Sequence, residues 1–92
     1  RYGGEEFVVL LRKTNDRGAR TIGERLRREV NNLLIEKSGH SINPSVSIGI
    51  STRAHGQKEH ISDLFERADE ALYRAKQAGR NCVRDLSDLT PA

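Results

Sequence analysis

The sequence contains one cysteine, Cys82, so no disulfide can close within it, and with no second thiol or nearby histidine it builds no thiolate metal knuckle. Flanked by Asn81 and Val83, that thiol reads as a packed strand residue rather than a reactive one. Aromatic residues are scarce too: Tyr2, Phe7, Phe65 and Tyr73 are the four, which makes any core aliphatic and thin. No apolar run approaches the roughly 18 to 20 residues of a membrane helix, and the opening residues lack the basic, apolar and small-residue pattern of a signal peptide. These absences lead to the expectation of a soluble, cytoplasmic segment with no membrane contact of its own.

Charge is plentiful but balanced. Sixteen Lys and Arg against thirteen Asp and Glu give a net +3 and a pI near 9.4, a balance that admits a phosphate-bearing partner without demanding one. Arg17, Arg20, Arg25, Arg27 and Arg28 crowd one segment, yet Glu24 and Glu29 sit among them, as on a solvated helix face. The basic stretches lack interleaved aromatics for stacking on bases, which disfavours nucleic-acid binding. Ninety-two residues at 35% hydrophobic content fit one domain at most. A chain of this size buries only roughly 60 to 65% of its unfolded surface, which leaves little margin.

Residues 6–11 (EFVVLL) form a near-continuous apolar run, too short for a helix, and read as a buried strand. Gly3 and Gly4 precede it, and a Gly-Gly pair suits the positive φ angles of a two-residue hairpin turn. Only Arg1 and Tyr2 stand on the other side of that turn, so the chain is expected to begin partway through a supersecondary unit. Over residues 15–37, apolar positions at Ala19, Ile22, Leu26, Val30, Leu33 and Leu34 predict an amphipathic helix. Thr14, Asn15 and Asp16 offer N-cap oxygens, Ser38-Gly39 reads as the stop, and Gly23 inside implies a close packing contact or a bend. Residues 45–51 (SVSIGIS) alternate as a strand with one core face and one face small enough for a helix or ligand to approach. A second helix is expected from Ser62 as N-cap, with Asp63 in its first turn. Leu64, Phe65, Ala68, Ala71, Leu72 and Ala75 form its apolar stripe, and Gly79 ends it. Residues 81–84 read as a short last strand and residues 85–92 as a polar tail. Strands interleaved with helices imply an α/β layered (α+β) domain.

Two constellations could carry chemistry. Gly3-Gly4-Glu5-Glu6 sets two carboxylates beside two bare backbone units, and strand alternation sends Glu5 and Glu6 to opposite faces. Such a loop suits Mg²⁺ held together with substrate phosphates, since Mg²⁺ takes hard oxygen ligands and keeps several waters; the plain reading is a turn with two solvated glutamates. Lys76 and Arg80 stand four residues apart at the close of the second helix. There they either complement the helix dipole or hold phosphate oxygens, Arg80 binding two at once. His40, His55 and His60 lie in expected loops without ligand spacing. The serines have no triad partners.

Arg1-Tyr2-Gly3-Gly4-Glu5-Glu6-Phe7 closely resembles the signature of the GGDEF family, the diguanylate cyclases. Ser47-Ile48-Gly49-Ile50 resembles the family's later core strand, and the run from Ala68 through Lys76 to Gly79-Arg80-Asn81 resembles its closing A-D-x-A-L-Y-x-A-K-x-x-G-R-N pattern, in the family's order. The resemblance covers residues 1–84. It implies a nucleotide-cyclase and polymerase-palm-like sheet flanked by helices, here without its N-terminal strand and helices. It further implies condensation of two GTP into cyclic di-GMP, with release of pyrophosphate, at the interface of a homodimer and with Mg²⁺ or Mn²⁺ as substitute. On the same basis Glu5 is the metal-binding carboxylate and general base, and Glu6 the signature's second acid. Gly3 and Gly4 let the turn approach the nucleotide, and Lys76 and Arg80 are the phosphate-binding pair. Arg25 fits an arginine that helps bind inhibitory product together with an R-x-x-D placed before the signature. The family's other metal Asp and its guanine-recognising residues also precede the signature, so this chain alone is expected to be inactive, within a parent protein carrying a sensory or regulatory domain. The rival expectations are a degenerate GGDEF module that binds GTP, cyclic di-GMP or a protein without catalysis, and a small basic nucleic-acid-binding module.

Overall fold

In the computed structural model residues 11, 14–53 and 58–86 are described. The signature and the expected strand over residues 6–11, Leu11 apart, lie outside them, as does His55. Asn15 opens the first helix, α1 (Asp16–Asn31): its side-chain oxygen accepts from the Gly18 N–H at 2.8 Å, and Asp16 puts a carboxylate in the first turn, where the dipole favours it.

The helix stops at Asn31, six residues short of the expectation. The apolar spacing that continues through Leu33 and Leu34 belongs to a different element. Ile35–Lys37 (β1) and His40–Ile42 (β2) form an antiparallel hairpin, pairing Ile35 with Ile42 and Lys37 with His40. Ser38 and Gly39 are its two-residue loop, at φ 53° and 80°, the doubly left-handed turn that matches the twist of paired strands. Asn31 and Asn32 are weak helix formers, and the β-branched Ile35 and Ile42 favour the extended state, so the local preferences agree with the observed break. Asn43 fixes the hairpin's base, its side-chain nitrogen donating to the carbonyls of Asn31 and Leu33, both at 2.7 Å.

Within the expected strand over residues 45–51, the paired part is Ile48–Gly49 (β3). It runs parallel to Val83–Arg84 (β4), in register Ile48 with Val83. Flanking bonds from Ile48 N–H to the Cys82 carbonyl and from Ile50 N–H to the Arg84 carbonyl, both 2.9 Å, extend the ladder. Parallel neighbours need a crossover, and the second helix, α2 (Ile61–Gln77), supplies it. His60 rather than Ser62 occupies its N-cap, without a side-chain cap bond, and Asp63 lies in the first turn as expected.

Helices cover both faces of this small sheet. Ile48 and Val83 face α1: a Cβ added to the buried Gly23 would stand 3.3 Å from Val83 Cγ1 and 3.7 Å from Ile48 Cγ2, so Gly23 is a close-packing glycine. Gly49 faces α2 so tightly that a Cβ there would overlap the backbone of Leu72 and Ala68. The small face of this strand therefore serves helix packing. Ala71, Ala75 and Val83 are the buried apolar residues among those described, a core as thin as the composition implied. The architecture is α+β. Packed structure continues into residues 85–86: Asp85 is only 6% exposed and accepts from Arg20 at 2.6 Å, which ties the end of β4 to α1. No helix among the described residues is long and apolar enough to cross a membrane.

Candidate functional site

The C-terminal end of α2 gathers the described part of the expected site. Helix ends leave carbonyls unpaired, and a glycine in the left-handed conformation is the usual way to turn the chain back over them. Gly79, at φ 110°, does this. Its N–H reaches the Lys76 carbonyl at 3.4 Å, and the Arg80 N–H reaches the Ala75 carbonyl at 3.0 Å. The last turn carries Arg74 and Lys76, whose charges offset the negative end of the helix dipole.

The chain then stays left-handed for two further residues, Arg80 at φ 65° and Asn81 at φ 49°. Asn81 is held from two sides: its N–H donates to Ser47 Oγ at 3.1 Å, and its side-chain oxygen accepts from Arg27 Nη1 at 3.2 Å. Arg27 is anchored in turn by Glu24, with Nε 3.2 Å and Nη2 3.1 Å from Oε2. Cys82 Sγ lies 3.4 Å from the Ala75 carbonyl, a half-buried thiol in packing contact. In contrast, the Arg80 side chain is exposed and has no hydrogen bond or ion pair among the described residues. Lys76 is half-buried. A guanidinium projecting from a backbone pinned on each side, with a second cation four residues earlier in the last turn of α2, can take an oxyanion.

The other expected site residues are not brought to this point. Gly3, Gly4, Glu5 and Glu6 lie outside the described residues. Arg25 lies roughly 200° around α1 from Arg27, so it points away from the α2 turn, and its exposed side chain meets Glu29 at 3.4 Å. A loose exposed pair of this kind is worth little and leaves Arg25 ready to exchange partners. Among the described residues no group of three or more His, Cys, Asp and Glu side chains could hold a metal ion. The arginine-rich segment is more than the solvated face its composition implied, because Arg27 and Glu24 are half-buried and Arg27 reaches the turn that follows α2.

Comparison with known proteins decides which family builds this turn. The sequence model of "Diguanylate cyclase, GGDEF domain" matches residues 1–82. The chain belongs to the GGDEF family. Among curated GGDEF relatives, Diguanylate cyclase A of Treponema denticola is 45% identical over 83 residues, covering 90% of this chain and 22% of that protein. Response regulator PleD of Caulobacter vibrioides is 41% identical over 85 residues, covering 90% and 18%, and Diguanylate cyclase DgcZ of Escherichia coli is 42% identical over 81 residues, covering 88% and 27%. The chain thus spans about a fifth to a quarter of the length of these relatives. The GGDEF match includes both the signature and the α2 turn, the two ends of the expected site. Asn81, Ser47 and Arg27 had no site role in the sequence reading. The one local signal was an Asn directly after Gly-Arg at a helix end, since Asn tolerates the left-handed region better than most residues.

Proposed function

We propose that this chain is the signature-bearing part of a diguanylate cyclase domain, spanning residues 1–84, which condenses two GTP into cyclic di-GMP across a homodimer. In that reaction each 3′-oxygen forms a bond to the α-phosphorus of the other GTP, each α–β phosphoanhydride bond breaks, and two pyrophosphates leave. Arg80 and Lys76 hold phosphate oxygens and offset their charge, so the nucleotide enters with its reacting phosphorus fixed. Gly3 and Gly4 admit the nucleotide close to the backbone, Glu5 receives the proton of the attacking hydroxyl, and Glu6 contributes the second carboxylate. The hard oxygen donors of Glu5 suit Mg²⁺, with Mn²⁺ as substitute, which when bound would supply charge neutralisation at the phosphates. Arg25, on the opposite side of α1, is assigned to product inhibition. The parent protein is read as cytoplasmic in this part and governed by a sensory or regulatory domain.

The observation that carries the reading is the exposed Arg80 on its pinned turn, four residues after Lys76, in a chain matched by the family from the signature to Cys82. A chimera tests it: residues 1–84 replace the matching segment of Diguanylate cyclase A from Treponema denticola. Incubated with GTP and Mg²⁺, the chimera is expected to form cyclic di-GMP by mass spectrometry, and Glu5→Gln to abolish the product. A folded chimera that binds GTP without turnover would identify a degenerate module instead.

A further inference from the structure

Ending α2 requires one left-handed residue, and Gly79 provides it. Arg80 and Asn81 continue in the left-handed region although each carries a Cβ, a conformation that disfavours non-glycine residues and persists only where the surroundings impose it. What imposes it here is specific. Ser47, just before β3, accepts from the Asn81 N–H, and Arg27 of α1, itself anchored by Glu24, donates to the Asn81 side chain. The Arg80 N–H is bound to Ala75, and Cys82 opens the pairing with Ile48. The N–H groups of Gly79, Arg80 and Asn81 and the Cys82 carbonyl are each bonded to an element of the fold or the segment leading into one, while the guanidinium is exposed and without a partner among the described residues. A glycine at position 80 would hold this left-handed conformation at lower cost, so the side chain rather than the backbone accounts for an arginine there.

We propose that Ser47, Asn81 and Arg27 are positioning residues that fix the left-handed backbone at Arg80 and so aim its guanidinium at the triphosphate of the nucleotide. The proposal rests on the reading of Arg80 as a phosphate ligand and adds the side chains that orient it. Arg27 and Ser47 belong to α1 and to the segment leading into β3, so the orientation of a residue after α2 is set by two other parts of the fold.

The test uses inorganic triphosphate, which offers phosphate contacts alone, titrated into the protein and followed through the Gly79 amide by NMR. Backbone shifts and couplings report the conformation at residue 80, and a thermal melt reports folding. Arg80→Gly is expected to weaken triphosphate binding about tenfold, the loss of one charge-assisted contact, with an unchanged or raised melting temperature. Ser47→Ala and Asn81→Ala are expected to weaken it by about five- to tenfold and to move residue 80 out of the left-handed region, while Ser47→Thr and Asn81→Asp, which keep the hydroxyl and the acceptor, stay within about twofold of wild type. Should Ser47→Ala or Asn81→Ala unfold, Asn81→Gly keeps the backbone freedom and removes only the link to Arg27. Weakened binding by folded Asn81→Gly supports the proposal, and wild-type binding overturns it. Wild-type binding by Ser47→Ala and Asn81→Ala alongside a weakened Arg80→Gly would overturn the positioning role and leave the phosphate reading standing. Wild-type binding by Arg80→Gly would overturn both.

Discussion

Asp85 shows how unequally two partners of one ion pair can matter. Its side chain is 8% exposed and that of Arg20 is 34% exposed, with 2.6 Å between Oδ2 and Nη2. Removing Asp85 takes one contact from a guanidinium that can also turn to water, whereas removing Arg20 takes the 2.6 Å ion pair from a carboxylate that solvent hardly reaches. A buried charge that loses an ion pair costs more than an exposed one, because water offsets less of the loss. Asp85→Ala is therefore expected to cost about 1 kcal/mol and Arg20→Ala about 2 to 3 kcal/mol, compared by urea unfolding of the two variants. Equal losses, or the reverse order, would show that Asp85 is adequately hydrated. At this scale the sequence was least informative: nothing in a polar stretch ending in Pro91 and Ala92 marks Asp85 as the buried member, because burial depends on where α1 lies, 65 residues earlier in the chain. The turn that carries Arg80 was legible because a helix-end glycine stands at Gly79, and the part Ser47 plays in it was not, since its partner is decided by the pairing of β3 with β4.

Helices and strands were legible where apolar period and capping agreed. The central turns of α1 and the body and C-terminal end of α2 follow from such agreement, and the β3–β4 strands from their apolar period. The hairpin from β1 to β2 did not, because Leu33 and Leu34 continue a helical spacing by coincidence and Ser38-Gly39 is equally at home after a helix or between strands. The sequence did foresee a strand face smooth enough for another element, and Gly49 is the contact that explains it. A methyl group there would meet the α2 backbone at Leu72 and Ala68 rather than a side chain that can swing aside. Gly49→Ala should push α2 off the sheet, at a cost of about 3 kcal/mol, the upper end for overpacking. Chemical denaturation checks this, and a loss below about 1 kcal/mol would mean that the helix shifts freely. Gly23→Ala is the built-in control, since its nearest neighbours are the side chains of Val83 and Ile48 at 3.3 Å and beyond.

Across the whole molecule, the described elements hold one half of a two-sided chemistry. In the proposed cyclase the α2 turn would present Arg80 and Lys76 to phosphate, but the described residues contain no group of three or more His, Cys, Asp and Glu side chains that could hold a metal ion, and the GGDEF resemblance implies that the second metal carboxylate and the guanine contacts stand before the signature. Phosphoryl transfer of this kind depends on positioning and charge neutralisation together, so one set of phosphate contacts lowers the barrier little without the other. The reaction also needs two nucleotides in register across a dimer, and these residues hold a small sheet between two helices with three fully packed apolar side chains. These ninety-two residues by themselves are therefore expected to make no cyclic di-GMP from GTP with Mg²⁺ or Mn²⁺, even at protein concentrations that would favour pairing, while the chimera described above does. Liquid chromatography with mass detection reads both in one assay. Product from the isolated chain would mean that Glu5 suffices for the metal and that the palm-like sheet is not needed to align two GTP molecules.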